Sequence, residues 1–318
     1  MPTGALRVHA VLFAVQLAFA SGALAGKIAL HREGVDPTAL AFIRASAGAL
    51  ASLLAERLTR KGPVEPLPRL PMIAFAFLGV VINQAFFLHG LRRGTATSAA
   101  LLSATIPVFT AGLGIAVGLE RPRMRTWLGI GIATAGVLGL TGVRDISLGN
   151  LLVTINSLSY AAYLVAVGRW VRRHGALRVV GAAFAWGALV LAIPGIPSLV
   201  HHAREFTSRG WLLVLWFVMV PTIFAYLANA WALGRARPSM VAAYIYLQPF
   251  LVIAVAGSIL GERLDPKTVF AGLAILLGLG IVVFRHKKDD APGEEGAVDD
   301  QGVRPDQAST VRSDHASK

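Results

Sequence analysis

TATSAALLSATIPVFTAGLGIAVGLERP occupies residues 95–122, and PSMVAAYIYLQPFLVIAVAGSILGERL occupies residues 238–264. Set one above the other at an offset of 142 residues, they place Pro107 over Pro249 and Glu120-Arg121 over Glu262-Arg263. The same register runs outward without a gap. Gly26-Lys27 meets Gly168-Arg169, and Ala41-Phe42 meets Ala183-Phe184. Leu91 and Arg93 meet Leu233 and Arg235, Thr126 meets Thr268, and Gly136 meets Gly278. Matches of Ala, Leu and Gly weigh little in so apolar a chain; the Pro, Glu-Arg and Thr matches decide the matter. The chain is an internal duplication.

Composition says where the duplicate lives. Of 318 residues, 55% are hydrophobic and 15% charged, against about 25% charged in soluble domains. Mean hydropathy is +0.63, which leaves too little polar surface to coat a water-soluble globule. The absence of cysteine excludes a disulfide scaffold, a thiolate metal site and a cysteine nucleophile. The histidines are scattered, and His201-His202 lacks nearby carboxylates and helical ligand spacing, so no metal site and no cofactor are expected. The net charge of +13 is spread over every loop, unlike the clustered basic face of a nucleic-acid binder.

A bilayer crossing takes roughly 20 apolar residues. Ten segments qualify: Val8–Ile28, Thr38–Ala55, Leu70–Leu91, Thr95–Leu119, Trp127–Val143, Leu148–Gly168, Leu177–Val200, Trp211–Gly234, Pro238–Gly261 and Lys267–Phe284. They are too long, and alternate too little, for a membrane barrel. Each half holds five crossings, so the second half enters the membrane upside down. The expected fold is an all-α integral membrane protein of ten transmembrane helices, built as two inverted five-helix repeats (residues 8–143 and 148–284) around a central cavity. Residues 285–318 are polar and acidic and read as a disordered cytoplasmic tail. Taking the amino terminus as cytoplasmic puts seventeen Lys and Arg residues in cytoplasmic segments and nine in the opposite loops. That imbalance places both termini inside. The first segment resembles a signal peptide, but the repeat uses it as a structural helix.

With the two quoted stretches and DPTALAFIRASAGAL, which opens the second crossing at residue 36, the chain resembles the EamA-type branch of the drug/metabolite transporter superfamily. The resemblance covers both halves. It implies ten helices whose cavity is lined by crossings three, four, eight and nine, with one and six. It further implies a carrier of the cell (inner or plasma) membrane that moves small metabolites such as amino acids or amines, with efflux the expected direction. One departure breaks the internal symmetry: the second half carries Trp186 where the first carries Arg44.

Polar side chains inside the apolar segments are the candidate cavity residues. Gln16 lies in crossing one, Asn83 and Gln84 in three, and Asn156 and Tyr160 in six. Tyr226 and Asn229 lie in eight, with Tyr244 and Gln248 in nine. Asn156, Ser159, Tyr160 and Tyr163 follow i, i+3, i+4, i+7 spacing and share one helix face. Such a stripe turns from lipid, either as interhelical contact or as a substrate surface. The aromatics suit a partly apolar or cationic cargo. Pro107 and Pro249 read as paired hinges inside crossings four and nine, freeing the carbonyls of Ser103 and Ile245. Arg44 is an intramembrane charge without a carboxylate at i±3 or i±4. It holds an anionic group, pairs with backbone carbonyls, or snorkels to the near interface. His89 reads as a packing histidine near the interface. Glu120 and Glu262 anchor loops near a helix amino terminus. Gly22-x-x-x-Gly26 allows close helix packing, and it falls short of a phosphate loop.

No nucleophile, metal cluster or carboxylate pair converges at one depth, so no covalent chemistry is expected. Expected partners are a small-molecule substrate and the lipid bilayer, with proton or other ion coupling left open and no nucleic acid. The oligomeric state is a monomer or homodimer. The alternative reading is a non-transporting membrane receptor or scaffold acting through its tail.

Overall fold

A computed structural model describes residues 3–59, 65–119, 124–141, 147–233, 235 and 244–283. The expected tail 285–318, Glu120 and Arg144 lie outside the described residues. All regular structure among the described residues is helical, as a lipid solvent requires of segments whose backbone finds no other partner. We number the helices α1 (Thr3–Arg32), α2 (Pro37–Thr59), α3 (Arg69–Ala76, Phe77–Val81 and Ile82–Arg93), α4 (Ala96–Ser103), α5 (Ile106–Ala116) and α6 (Met124–Thr141). The second half holds α7 (Leu148–His174), α8 (Ala176–His202), α9 (Ser208–Phe217, Val218–Phe224 and Ala225–Leu233), α10 (Leu247–Leu260) and α11 (Pro266–Val283). Among the described residues, 7 helical stretches are long and apolar enough to cross a membrane, and Leu247–Leu260 and Pro266–Ile281 are shorter apolar helices.

The 142-residue register reappears in the backbone. Shifted by it, the bounds of α6 become 266 and 283, those of α11. Helix α3 contains a π-helical segment at Phe77–Val81 and α9 one at Val218–Phe224, and the same shift carries 77–81 onto 219–223. Helix pairing follows suit. Equivalent helices α2 and α8 pack together, as do α6 and α11. Helix α1 packs against α9 and α10, while its equivalent α7 packs against α3, α4 and α5. The α6–α11 contact depends on glycine: a Cβ on Gly278 would lie 2.5 Å from the Ala133 nitrogen, and one on Gly136 2.6 Å from the Ala271 carbonyl. Large apolar side chains such as Leu50, Ile193 and Phe270 remain exposed on the outer surface, as lipid permits.

The fourth crossing departs from its expectation. Pro107 does not kink a continuous helix. The chain breaks into a turn at 104–105, and Pro107 sits in the first turn of α5, where a missing N–H costs nothing. The carbonyl that gains outside donors is that of Leu102, not Ser103: it accepts from Thr105 Oγ1 at 2.6 Å and from Ser157 Oγ at 3.0 Å. Pro249 stands likewise at the start of α10, behind a turn at 245–246.

Helix ends gather into two sets. At one end, the loop 33–36 meets the segment around Ser198–Arg209, and 94–97 meets Glu262. At the other, Glu65 pairs with Arg173 at 2.9 Å and also accepts, through its carbonyl, from Arg178. There too His9 meets the Tyr244 hydroxyl at 2.6 Å.

Candidate functional site

The buried centre is organised by Pro221. Proline has no N–H to give to the carbonyl four residues earlier, which is Phe217. The π-helical turn reaches that carbonyl by its backbone, and the Thr222 hydroxyl also donates to it, at 3.0 Å. This i to i+5 closure lies in the π-helical turn of α9. The hydroxyl oxygen keeps a free lone pair, and Arg44 Nε donates to it at 3.1 Å. Thr222 is 0% exposed and Arg44 7%. Arg44 therefore does not snorkel to the interface; it points across the bundle from α2 to α9. Its guanidinium lies 4.4 Å over the Phe217 ring, a cation–π contact strengthened by desolvation. Phe217 fits there because α1 offers glycine: a Cβ on Gly26 would lie 2.5 Å from its ring, and one on Gly22 2.8 Å from Pro221.

An aromatic wall adjoins the arginine. Tyr226 meets Phe184 edge-on at 5.2 Å and Phe19 at 6.2 Å. Tyr160 stacks on Tyr163 at 5.6 Å. Gly48, four residues past Arg44, makes room for Phe184: a Cβ there would lie 2.6 Å from its ring.

The remaining candidates divide. The Asn83 and Asn156 amides meet at 2.7 Å, joining α3 to α7, and Ser159 donates to the Leu78 carbonyl in the α3 π-segment at 2.9 Å. Gln84 is 1% exposed, and neither end of its amide has a partner among the described residues. Gln16 is equally buried with its carbonyl oxygen unpartnered. Asn229 and Gln248 are half-buried. Tyr244 does not join the central set: its bond to His9 holds it at one end of the bundle. Residues that the sequence reading missed are Phe217, Pro221 and Thr222. A Pro-Thr pair inside an apolar run is the signal that marks them.

A cavity of about 510 Å³ opens at the Glu65 end between α2, the α7–α8 joint and α9, with Glu56, Thr59, His174, Arg178, Leu227 and Trp231 on its walls. It is not the central polar set, none of whose residues line it. The opposite end is tied shut by polar contacts. Lys27 donates to the carbonyls of Leu91 and Gly94 at 3.1 and 2.5 Å. Glu33 accepts from Thr207 Oγ1 at 2.5 Å and lies 3.7 Å from Arg209. Asp36 caps α2 through the Thr38 and Ala39 N–H groups and accepts from Ser198 at 2.5 Å. Burial pushes the Asp36 carboxyl up, but these hydrogen bonds outweigh it and hold the group below its ordinary value. Glu262 accepts from the Ala96 and Thr97 N–H groups at 2.6 and 3.1 Å. The anchoring read from sequence is thus present for Glu262, on the helix opening the fourth crossing. His89 bonds to Thr38 at 3.2 Å, a packing role at this end.

One correction concerns histidine. Glu205 brings a carboxylate within 4.8 Å of ligand atoms on both His201 and His202, which the sequence reading denied. The group lies at the tied end, and His202 Nδ1 already faces the Ser198 carbonyl at 3.0 Å.

Comparison with known proteins agrees with the fold. An EamA-like transporter family model matches residues 7–142 and again 147–284, the two halves of the 142-residue register. An uncharacterized transporter of Archaeoglobus fulgidus is 27% identical over 86% of this chain and 96% of its own. The inner membrane transporter YedA of Escherichia coli is 24% identical over 88% and 89%. A probable amino-acid metabolite efflux pump of Salmonella typhimurium is 26% identical over 68% and 78%. A solved crystal structure superposes with a TM-score of 0.59 at 19% identity, covering 90% of this chain and 99% of that one, and so shares the fold. With two family matches spanning its apolar helices, this chain is a multi-pass membrane protein that belongs to the EamA-like transporter family.

Proposed function

We propose that the chain is a ten-crossing carrier of two inverted repeats that moves small metabolites through its centre by alternating access, with amino acids, amines or related compounds as cargo and efflux as direction. The observation that carries this reading is the asymmetry between the two ends. One is tied by Lys27, Glu33, Asp36 and Glu262; the other holds the 510 Å³ cavity. A carrier caught open to one side has this form. Lys and Arg placement makes the cavity end cytoplasmic, with both termini on that side. The amino-acid cargo rests on the name of the Salmonella relative.

The test is direct. Purified protein in liposomes should catalyse saturable counterflow of at least one member of a panel of amino acids and amines. Folded protein that exchanges none of them sinks the reading. The natural lack of cysteine helps: Thr59→Cys and Thr207→Cys should react with impermeant maleimide from opposite faces of the membrane, and reaction from one face refutes the orientation. The receptor or scaffold alternative is not favoured. The family match stops at residue 284, and the relatives are transporters by name.

A further inference from the structure

We infer that Arg44 is the anion-binding centre of the carrier, and that its ligand is a small carboxylate with an apolar or aromatic body. The inference rests on the transport reading for its location and on Arg44 itself for its chemistry. A guanidinium carries five N–H donors. The Nε–H goes to Thr222; no carboxylate pairs with the side chain among the described residues, and neither terminal nitrogen donates to any of them. The two terminal NH2 groups leave one edge of the fork unmatched. A buried cation without a counter-charge is costly, and among the described residues no acid pairs with it.

What completes the site must be negative and fit the fork. A carboxylate matches it with two parallel hydrogen bonds. One face of the guanidinium is already covered by Phe217 at 4.4 Å, so a ligand approaches edge-on. The surroundings set the rest of its chemistry. Tyr226, Phe184, Tyr160 and Tyr163 form a wall suited to an apolar or aromatic group. In the second repeat the equivalent of Arg44 is Trp186, so the duplicated frame supplies one cation rather than two. Thr222 is the positioning residue: it fixes Nε and leaves the terminal nitrogens for the ligand.

The probes are matched compounds measured by thermal stabilisation of the purified full chain. The first arm is 3-phenylpropionate, phenylacetate and benzoate, the second their neutral amides, and the third inorganic phosphate and chloride at equal concentration. Wild-type protein should be stabilised by at least one carboxylate and bind its amide tenfold to a hundredfold more weakly, the loss expected of a charge-assisted pair. This comparison needs no substitution, so it survives a variant that fails to fold. Arg44→Gln should abolish the preference for acid over amide, and Arg44→Lys should restore part of it. Thr222→Val should weaken the carboxylate more than its amide. Equal stabilisation by acid and amide, no stabilisation by any carboxylate, or an Arg44→Gln protein that keeps the preference overturns the proposal. Phosphate or chloride acting as strongly as the organic acids also overturns it, because the aromatic wall then plays no part. Counterflow of amines without any carboxylate effect would remove the anion site and leave the carrier standing. Carboxylate binding without counterflow would do the reverse.

Discussion

Replacing Glu262 by Ala should unlock the tied end of the bundle. Its carboxylate accepts two backbone N–H bonds at 2.6 and 3.1 Å, from Ala96 and Thr97 at the start of α4. Ala96 and Thr97 are buried, so the truncation orphans two donors that have no other helix partner. The glutamate is half-buried, which argues for the low end of the range, about 1 kcal/mol for each bond. The loss is then about 2 kcal/mol, or roughly thirtyfold in the population open at that end, at about 1.4 kcal/mol for each factor of ten. Glu262→Gln retains one acceptor and should cost about half as much in free energy, roughly fivefold. Thr97→Cys is a suitable reporter, because Thr97 is 3% exposed and the chain has no cysteine. In reconstituted vesicles its reaction with an impermeant maleimide should accelerate roughly thirtyfold in the Glu262→Ala background. Thr59→Cys, on the cavity, should not accelerate. Unchanged labelling of Thr97→Cys would refute the latch, and equal acceleration at both positions would reduce it to general loosening.

Three further outcomes follow from the geometry. Asp36 has a depressed carboxyl pKa, so the stability it contributes is present above the unfolded value of about 3.9 and lost as pH falls through the lower folded value. The melting temperature should fall in that acid window, and Asp36→Asn should flatten the fall. Gly278→Ala should cost about 1–3 kcal/mol, because the new methyl meets backbone of α6 at 2.5 Å. Gly131→Ala, with nothing within 4 Å, should stabilise α6 slightly, and thermal unfolding of the pair decides. Ser157→Ala removes an outside donor from the Leu102 carbonyl and should lower stability by about 1 kcal/mol, read in the same way. No change there would show that Thr105 alone suffices.

How much of this was legible in the sequence depends on what each signal can see. Apolar runs and the repeat are one-dimensional: among the described residues seven of the runs form helices long enough to cross a membrane, and the 142-residue offset reproduces the bounds of α11 from those of α6. Proline is local too, but its consequence depends on the backbone around it. Pro107 lies where the chain has already turned and needs no rescue. Pro221 lies inside α9, in a π-helical segment where the Thr222 hydroxyl also reaches the Phe217 carbonyl. The repeat singled out Pro107 because it falls on Pro249, whereas Pro221 falls on Gly79 and carries no such signal. Arg44 shows the same limit. Counting turns from the membrane surface admits snorkelling, whereas the residue that holds it, Thr222, is 178 positions away. Tyr244 sits in an apolar run like the others, yet its partner His9 places it at the bundle's end. Glu205 lies in the turn that follows His201-His202 and so falls outside helical ligand spacing.

The irregular backbone also bears on how such a bundle changes shape. A regular helix satisfies its own carbonyls and gains nothing from a neighbour's hydroxyl. The breaks and π-segments hand some of these carbonyls to other groups: Leu102 to Ser157, Leu78 to Ser159, Phe217 to Thr222 and through it to Arg44. Each contact is a single hydrogen bond, worth about 1 kcal/mol net, and each can be exchanged for a water or a substrate group when helices slide. A few such bonds together hold one arrangement by only a few kcal/mol, the range in which a ligand with differential affinity can shift the balance. The glycine-based α6–α11 contact has no such freedom, since backbone meets backbone across it. On the proposed alternating-access reading, rearrangement belongs to α1, α3, α4, α7 and α9, with α6 and α11 as a rigid pair.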